Sequence, residues 1–321
     1  MKAIQVTTPG GPEVMEYREV AIPTPKPGEA LVRIKSIGVN FIDIYHREGR
    51  YPLPTPFTPG SEAAGVVESI GDGVTEFKPG DRVAYALQVG SYAEYALVPV
   101  SRLVPIPDSV DDDRAAAVLL QGLTAHYLCY STYSVKPTDT VLIHAGAGGV
   151  GLLLTQMIRQ IGAKIITTVS TEEKAQLSRQ AGADEVILYT QQDFETEVMR
   201  ITNQSGVQVV YDSVGKTTFD KSLACLRPRG YMVLFGASSG AVPPFDPLHL
   251  SKKSIFLTRP TLGHYVLTRD ELLNRTNDLF QWIAEGKLQL QIEHVYRLAE
   301  ATQAHKDLAA RITTGKVLLK P

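Results

Sequence analysis

A run of apolar residues that ends in closely spaced glycines constrains this chain more than any other feature. Residues 140–151 read Thr-Val-Leu-Ile-His-Ala-Gly-Ala-Gly-Gly-Val-Gly. The spacing predicts a turn from a buried strand into a helix whose N-terminus binds a dinucleotide pyrophosphate. Gly146 would permit the tight turn, Gly148 the approach of backbone amides to the pyrophosphate, and Gly151 close packing of the helix on the sheet. A purely structural glycine turn is the alternative. The predicted cradle consists of Gly146, Gly148, Gly149, Val150 and Gly151.

The residues around this motif alternate between strand and helix patterns. After the glycines, apolar residues recur at helical spacing up to Gly162, and a new strand follows. Short β-branched runs then alternate with helical stretches, which is typical of βαβ units and a parallel sheet. We therefore predict an α/β domain over residues 124–260, with a Rossmann-type doubly wound parallel sheet. Its predicted strands are 140–145, 164–169, 185–188, 207–212, 231–235 and 254–258.

Residues 1–123 have a different pattern, because Pro and Gly turns separate short strands and no long helical pattern precedes residue 112. An all-β, barrel-like domain is the prediction here. Residues 261–321 are expected to return to this domain, with helices near 269–285 and 299–313 and a closing strand at 316–319. The predicted strands of the first part are 2–7, 30–38, 62–70, 81–86 and 92–98.

Composition and charge narrow the classes of partner. The chain has 321 residues, is 44% hydrophobic and has a formal net charge of -2 without a basic block, so we expect no nucleic-acid partner. The N-terminal residues read as a strand, and no apolar run approaches the roughly 20 residues that span a bilayer, which favours a cytoplasmic protein without a membrane partner. Cys129 and Cys225 stand apart from His pairs, so we expect buried free thiols and no metal site.

Motifs along nearly the whole chain carry a family resemblance. They are GVNFIDIY (38–45), GSEAAGVV (60–67), KPGDRV (78–83), GLTAHYL (122–128), HAGAGGVG (144–151), YDSVG (211–215), FGASSG (235–240) and TRP (258–260). In them the chain resembles the medium-chain dehydrogenase/reductase superfamily and, within it, the NADPH-dependent quinone oxidoreductases related to zeta-crystallin. The resemblance implies a GroES-like catalytic domain at 1–123, completed by residues 261–321, and a Rossmann nucleotide-binding domain at 124–260.

The resemblance also implies an enzyme that works without zinc. Alcohol dehydrogenases of the superfamily hold a catalytic zinc through a Cys and a His, and the corresponding positions here are Asn40 and Ser61. Neither side chain is a plausible zinc ligand. The acceptor must then be activated by hydrogen bonds or be electrophilic enough to take hydride almost unaided. Quinones and enones meet that condition, and simple alcohols do not.

Three residues are predicted to act at the acceptor. Asn40 can donate through its amide, and Tyr45 and Tyr51 through their phenols, to oxygen charge that develops as hydride arrives. For each tyrosine, an amphipathic wall residue is an equally good interpretation. Asp43 could orient a nicotinamide or ribose group, or it could cap a loop.

The end of the second predicted strand of the Rossmann domain indicates the cofactor. NAD enzymes place an Asp or Glu there, on the ribose 2′-hydroxyl, whereas this chain has Ser170. Together with Lys174 and Tyr189 it could surround a 2′-phosphate, which favours NADPH, although Glu172 and Glu173 bring opposing charge. Ser170 and Glu173 also fit a capping box. The resemblance alone implies further cofactor contacts at Thr124, Phe235, Gly236, Ser238 and Arg311. Asn40, Asp43 and Ser213 are also expected to contact the cofactor.

These observations together predict an NADPH-dependent quinone oxidoreductase that transfers hydride from nicotinamide C4 to a quinone without a metal ion. A zinc-free NADPH-dependent enal or enone reductase would use the same features. A crystallin-like protein that binds nucleotide or RNA without useful activity is the alternative from another class. Residues 253–258 read as an exposed apolar edge strand, which predicts a homodimer in which this strand pairs with its symmetry mate.

Overall fold

A computed structural model describes residues 1–321, which divide into two compact units. The first unit comprises Met1–Leu123 with Val266–Pro321, and the second comprises Thr124–Tyr265. Along the chain the strands are β1 Lys2–Val6, β2 Met15–Glu19, β3 Glu29–Val39, β4 Glu62–Ile70, β5 Arg82–Ala86, β6 Tyr95–Pro99, β7 Leu103–Pro105, β8 Thr140–His144, β9 Lys164–Val169, β10 Glu185–Leu188, β11 Val207–Asp212, β12 Leu226–Leu234, β13 Phe256–Thr258, β14 Ile292–Arg297 and β15 Lys316–Lys320. The α-helices are α1 Phe41–Arg47, α2 Asp112–Tyr127, α3 Gly149–Ile161, α4 Glu172–Gln180, α5 Phe194–Ile201, α6 Phe219–Cys225, α7 Arg269–Ala284 and α8 Ala301–Ala309.

The first unit is built around the long strand β3. Its sheet has the order β14-β15-β3-β4-β5-β7, and β6 pairs with the first residues of β3. The last residues of β3 pair with β15, which brings the C-terminus of the chain into this sheet. The hydrophobic core therefore combines residues from the N-terminal strands with Leu298, Ala301, Val317 and Leu319.

The second unit contains a six-stranded parallel sheet with the order β10-β9-β8-β11-β12-β13. Counted from β8, this is the 3-2-1-4-5-6 order of the doubly wound fold, in which ligands bind at the carboxyl ends of the strands. The predicted fold of this region is confirmed, and β9, β10 and β11 have the predicted bounds. Cys129 and Cys225 are buried free thiols, as predicted.

The last two predicted strands of this sheet differ in length from β12 and β13. β12 begins at Leu226 instead of residue 231, because Leu226 already pairs with Val207 and an irregularity follows before Val209. β13 begins at Phe256 instead of residue 254, because Ser254 has a φ of 51°. That left-handed conformation is incompatible with an extended strand.

The first unit contains elements that the sequence patterns do not predict. These are the strands β2, β7 and β14 and the seven-residue helix α1. The predicted helix 299–313 is shorter, because α8 ends at Ala309 and Arg311 has a left-handed φ of 59°. The predicted strand 92–98 is displaced to β6, since Tyr92 instead bonds through its carbonyl to the Ile4 amide at 2.9 Å.

The boundary between the second unit and the return segment lies at residue 265, later than the predicted residue 260. Residues 261–265 stay with the second unit because Tyr265 packs there. Its ring stacks on Tyr127 with 4.2 Å between centroids, and its hydroxyl accepts a hydrogen bond from Thr132 at 3.0 Å. None of the helices combines the length and apolar composition needed to cross a lipid bilayer.

Candidate functional site

The glycine motif forms a tight connection between β8 and α3. A Cβ at position 151 would lie 2.3 Å from the Ala145 carbonyl oxygen, and a Cβ at position 146 would lie 2.6 Å from the Thr167 Cβ. Both distances are too short for any side chain, so glycine is required at these positions. The left-handed residue of the turn is Ala145, with a φ of 55°. The predicted role of Gly146 is therefore wrong in detail, because this glycine is needed for contact with β9.

The cradle has the form that a dinucleotide pyrophosphate requires. Gly148 precedes the first residue of α3, and a Cβ there would meet only atoms of Ala145, the closest at 3.2 Å. The amides of Gly149, Val150 and Gly151 belong to the first turn of the helix, where backbone N–H groups have no acceptor within the helix. Such amides, at the positive end of the helix dipole, bind phosphate groups.

The carboxyl ends of β9 and β10 bring together residues predicted to select the cofactor. The Tyr189 amide donates to the Val169 carbonyl at 3.1 Å, and the Thr190 hydroxyl donates to the Ser170 carbonyl at 2.9 Å. Tyr189 is exposed, and Lys174 lies in the first turn of α4.

The predicted capping box of Ser170 and Glu173 is wrong. Thr171 is the residue that caps α4, because its hydroxyl accepts a hydrogen bond from the Lys174 amide at 3.3 Å. The adjacent acidic charge of Glu172 is compensated, since Arg179 lies 2.6 Å from its carboxylate.

A buried aspartate organises the loops that follow β11 and β12. The Asp212 carboxylate accepts hydrogen bonds from the amides of Val214 and Gly215 at 2.7 and 2.9 Å. It also accepts hydrogen bonds from the hydroxyls of Thr218 and Ser222, at 2.7 and 3.2 Å. Sequence analysis noted this residue only as a strand end.

The two loops pack tightly against each other. The Phe235 amide donates to the Asp212 carbonyl at 2.9 Å, and the Ser238 amide donates to the Ser213 carbonyl at 3.1 Å. A Cβ at Gly236 would lie 2.4 Å from the Ser213 carbonyl oxygen. The predicted contacts Ser213, Phe235, Gly236 and Ser238 therefore lie together at the carboxyl edge of the sheet.

His144, at the end of β8, belongs to the same buried network. Its two ring nitrogens lie 2.8 Å from the Thr168 hydroxyl and 2.9 Å from the Ser222 hydroxyl. Burial lowers the pKa of His144, so the ring is neutral. Because Ser222 donates to Asp212, the imidazole in turn donates to Ser222, and this histidine supports the loop arrangement.

In the first unit, Asn40 is held on every polar atom. Its amide nitrogen donates to Glu62 at 2.9 Å and to the Gly38 carbonyl at 3.2 Å, and its amide oxygen accepts from Lys316 at 2.9 Å. The predicted donation from this amide to a substrate would require exchange of one of these bonds. In the structure Asn40 instead links the ends of β3 and β15.

Lys316 and Glu62 form a fully buried ion pair beside Asn40. The second carboxylate oxygen of Glu62 accepts a hydrogen bond from the Leu120 amide at 2.7 Å. Sequence analysis missed this pair, because 254 residues separate its members. A metal cation near Asn40 would meet the Lys316 ammonium, and no group of three or more His, Cys, Asp or Glu residues is arranged to hold a metal.

Asp43 is completely buried in the first turn of α1. Its carboxylate accepts hydrogen bonds from the backbone amide of Asn40 and the Ser61 hydroxyl, both at 2.9 Å, and from the Tyr92 hydroxyl at 3.2 Å. Burial raises the pKa of Asp43 to about 7, against the opposing effects of these donors and of Lys316. These contacts correspond to the capping interpretation of this residue, and its contact with a cofactor stays a prediction.

The two tyrosines predicted to act at the acceptor lie together. Tyr45 is in α1, and its ring meets Tyr51 edge-on with 5.5 Å between centroids. The guanidinium of Arg50 lies 5.4 Å above the Tyr45 ring. Tyr45 is nearly buried, whereas Tyr51 is 43% exposed, so the Tyr51 phenol is accessible to a ligand.

The remaining two predicted cofactor residues belong to different units. Thr124 is a buried residue of α2 and the first residue of the second unit. Arg311 is exposed in the first unit, just after α8.

Comparison with known proteins identifies relatives of the whole chain. Residues 26–108 match the family described as "Alcohol dehydrogenase GroES-like domain", and residues 149–284 match "Zinc-binding dehydrogenase". A quinone oxidoreductase of Pseudomonas aeruginosa is 47% identical, over 100% of this chain and 99% of its own length. A 2-haloacrylate reductase of Burkholderia sp. is 43% identical, over 97% of this chain and 96% of its own.

A solved structure matches equally well. The crystal structure of Escherichia coli quinone oxidoreductase complexed with NADPH superposes with a TM-score of 0.98 at 43% identity, over 100% of both chains. The predicted GroES-like character of the first domain and the family resemblance are confirmed.

The buried ion pair predicts an asymmetry between two lysines of β15. Lys316→Met is expected to lower the free energy of unfolding by about 3 to 5 kcal/mol, because Glu62 is left buried without its countercharge. Lys320→Met is the matched control, since Lys320 pairs with Asp113 at a partly exposed site, and should cost about 1 kcal/mol or less. Urea unfolding followed by circular dichroism measures both, and equal losses would contradict the role assigned to the pair.

Proposed function

The chain belongs to the quinone oxidoreductase family of the medium-chain dehydrogenase/reductase superfamily, and we propose that it reduces quinones with NADPH without a metal ion. The observation that carries the proposal is the glycine cradle, in which a side chain at position 146 or 151 would collide with the backbone or with β9. A relative of the same length and fold binds NADPH.

The residues of the second unit would hold the nucleotide. The first-turn amides of α3 bind the pyrophosphate. Ser170, Lys174 and Tyr189 would hold the 2′-phosphate, and the loops held by Asp212 would hold the rest of the nucleotide. When bound, NADPH supplies the hydride of its C4 atom. The loops that follow β11 and β12 would contribute the predicted cofactor contacts Ser213, Phe235, Gly236 and Ser238.

The first unit would receive the acceptor. The accessible phenol of Tyr51 donates a hydrogen bond to a quinone oxygen, and Tyr45 supports it through their edge-on contact. Hydride reduction places negative charge on that oxygen, and solvent supplies the proton that completes the hydroquinone. Lys316 and Glu62 are paired with each other, and the Asp43 carboxylate is bound by its own donors. The acceptor itself therefore has to be strongly electrophilic.

A second candidate activity is the reduction of an activated carbon–carbon double bond. The observation that favours it is the 43% identity to a 2-haloacrylate reductase over nearly the full length of both chains. Conjugate addition of hydride to an enone or enal places the developing charge on a carbonyl oxygen. The same tyrosines would stabilise that charge, so the geometry supports both reactions.

NADPH oxidation with a panel of acceptors tests the proposal. We expect turnover with benzoquinone, naphthoquinone or phenanthrenequinone to exceed that with 2-alkenals and 2-haloacrylate, with and without a chelator. Turnover of an alkene far above every quinone would replace the proposed function by the second candidate. RNA binding with a steep salt dependence, combined with no turnover of any acceptor, would instead support the non-enzymatic alternative.

The preference for NADPH over NADH is predicted to depend on Lys174. A charge-assisted contact to the 2′-phosphate provides roughly a ten- to hundredfold preference. Lys174→Ala should therefore reduce kcat/KM for NADPH by that factor and leave the value for NADH nearly unchanged. Gln176→Ala, an exposed substitution in the same helix, is the control. An unchanged NADPH/NADH ratio in Lys174→Ala would show that this lysine does not read the phosphate.

We further propose that the protein is a homodimer. The edge strand β13 leaves its backbone unpaired on one side, and Phe256 and Leu257 are 52% and 38% exposed. Pairing of β13 with a second copy would cover both the backbone and these side chains. A cytoplasmic location, and the absence of a nucleic-acid partner, stay predictions of the sequence.

Light scattering at micromolar concentration tests the dimer. We expect twice the monomer mass for the unmodified chain and a monomer for Phe256→Glu, because a charge would be buried in the interface. Leu267→Glu alters an even more exposed apolar residue, in the first unit, and should remain dimeric. A monomeric unmodified chain would contradict the proposal.

A further inference from the structure

A chain of four buried side chains connects the two ends of α1. Asp43, in the first turn, accepts a hydrogen bond from the Tyr92 hydroxyl at 3.2 Å. The Tyr92 hydroxyl lies 2.9 Å from Nε2 of His305, and Nδ1 of His305 lies 3.1 Å from the guanidinium of Arg47, in the last turn. All four residues are at most 2% exposed. Arg47 also donates to Glu48 and to the Gly10 carbonyl.

Donor chemistry assigns one direction to every hydrogen bond in this chain. Arginine can only donate, so Nδ1 of His305 accepts from Arg47. Burial and the nearby Arg47 lower the pKa of His305 to about 3, so the ring is neutral and its single proton is on Nε2. His305 therefore donates to the Tyr92 oxygen. The Tyr92 hydroxyl, whose own pKa is raised by burial, is left to donate to Asp43.

The direction of these hydrogen bonds matters because the last of them is donated to the Asp43 carboxylate, which caps α1. α1 has only seven residues, too short to be stable from its own hydrogen bonds. It is held at its start by Asp43 and at its end by Arg47, and Tyr45 lies between these residues. Both ends are fixed to the same α8 residue, since His305 contacts Arg47 directly and Asp43 through Tyr92.

We propose that Tyr92 and His305 are positioning residues for quinone reduction, which hold α1 and thereby orient Tyr45 and the Tyr51 ring packed against it. The inference rests on the proposed function for its kinetic consequence. Neither residue is proposed to touch the substrate. Their effect passes through ionised Asp43, which can accept three hydrogen bonds at once, whereas a protonated carboxyl must give up one of them.

The electrostatic surroundings of Asp43 set how pH enters. The groups that face its carboxylate are the Asn40 amide, the hydroxyls of Ser61 and Tyr92, and the Lys316 ammonium. Arg47 and Glu62 act on Tyr92 in opposite directions. Loss of the Tyr92 hydroxyl removes a donor that favours ionised Asp43. The pKa of Asp43 should then rise above its value of about 7.

Tyr92→Phe tests the proposal, with Tyr85→Phe as a matched control. Tyr85 belongs to the same hydrophobic core and is fully buried, but its hydroxyl has no hydrogen-bond partner. We expect kcat/KM for benzoquinone at pH 7 to fall roughly tenfold or more in Tyr92→Phe and to change less than about twofold in Tyr85→Phe. The NADPH dissociation constant should be unchanged in both variants.

The pH profile separates positioning from general loss of structure. In the unmodified chain, kcat/KM should decline as pH falls through about 7, and in Tyr92→Phe this decline should begin at higher pH. Asp43→Asn should remove the decline, and Tyr92→Phe should add little in that background. A loss in Tyr92→Phe that is the same at every pH, or equal in the Asp43→Asn background, would overturn the proposal.

Unfolding free energies test the same series of hydrogen bonds without a measurement of turnover. Because burial raises the pKa of Asp43 above its unfolded value, its contribution to stability is present at low pH and is lost as pH rises to about 7. The difference in unfolding free energy between the unmodified protein and Asp43→Asn should stop changing above about pH 7. When both proteins also carry Tyr92→Phe, it should stop changing only at a higher pH. A plateau that begins at the same pH with and without Tyr92→Phe would refute the proposed hydrogen-bond connection from Tyr92 to Asp43. A shifted plateau without quinone turnover would refute only the proposed function.

Discussion

The Glu62 carboxylate is buried without access to water, and its donors come from three distant parts of the chain. Lys316 is in the last strand, Asn40 precedes α1, and the Leu120 amide belongs to α2. A buried carboxylate without such partners would cost several kcal/mol. The first unit therefore has to bring its N-terminal strands, α2 and its C-terminal strand together in one arrangement. The capping of α1 by Asp43 and the position of the two tyrosines follow from that arrangement.

The second unit also contains a buried carboxylate, that of Asp212, whose donors lie closer together in the sequence. Asp212 lies at the end of a parallel strand and turns the following backbone by accepting two of its amides. The hydroxyls of Thr218 and Ser222 fill its remaining acceptor positions, and Ser222 extends the network through His144 to β8 and β9. In both units, then, a neutral histidine donates through a hydroxyl group to a buried aspartate. The loops that are predicted to contact the cofactor in the second unit are therefore supported by buried polar interactions.

Sequence patterns predicted the features that depend on neighbouring residues. The glycine spacing, the alternation of strands and helices and the edge strand are local, and the parallel sheet with its cradle followed from them. The partners of Asn40 and Arg47 could not be predicted, because Lys316 lies 276 residues from Asn40 and His305 lies 258 residues from Arg47. Short elements were also missed, since α1 depends on Asp43 and Arg47 for its stability more than on helix propensity. The turn at Ala145 was assigned to the wrong residue, because the spacing does not show which of the adjacent residues takes the left-handed conformation.

The internal use of charge agrees with the class of acceptor that we propose. Where zinc-containing members of the superfamily place a metal to polarise a carbonyl, this chain has Asn40 and Ser61, and both are engaged with buried ionic groups. The Lys316 ammonium is directed to Glu62 and Asn40, and the Asp43 carboxylate to three donors. Tyr51, by contrast, is 43% exposed. In the proposed site a single phenol would stabilise developing oxygen charge much less than a metal ion does, which would favour an acceptor whose reduced form delocalises that charge. A quinone delocalises it over an aromatic ring, and an enone over a conjugated system, whereas a simple ketone cannot.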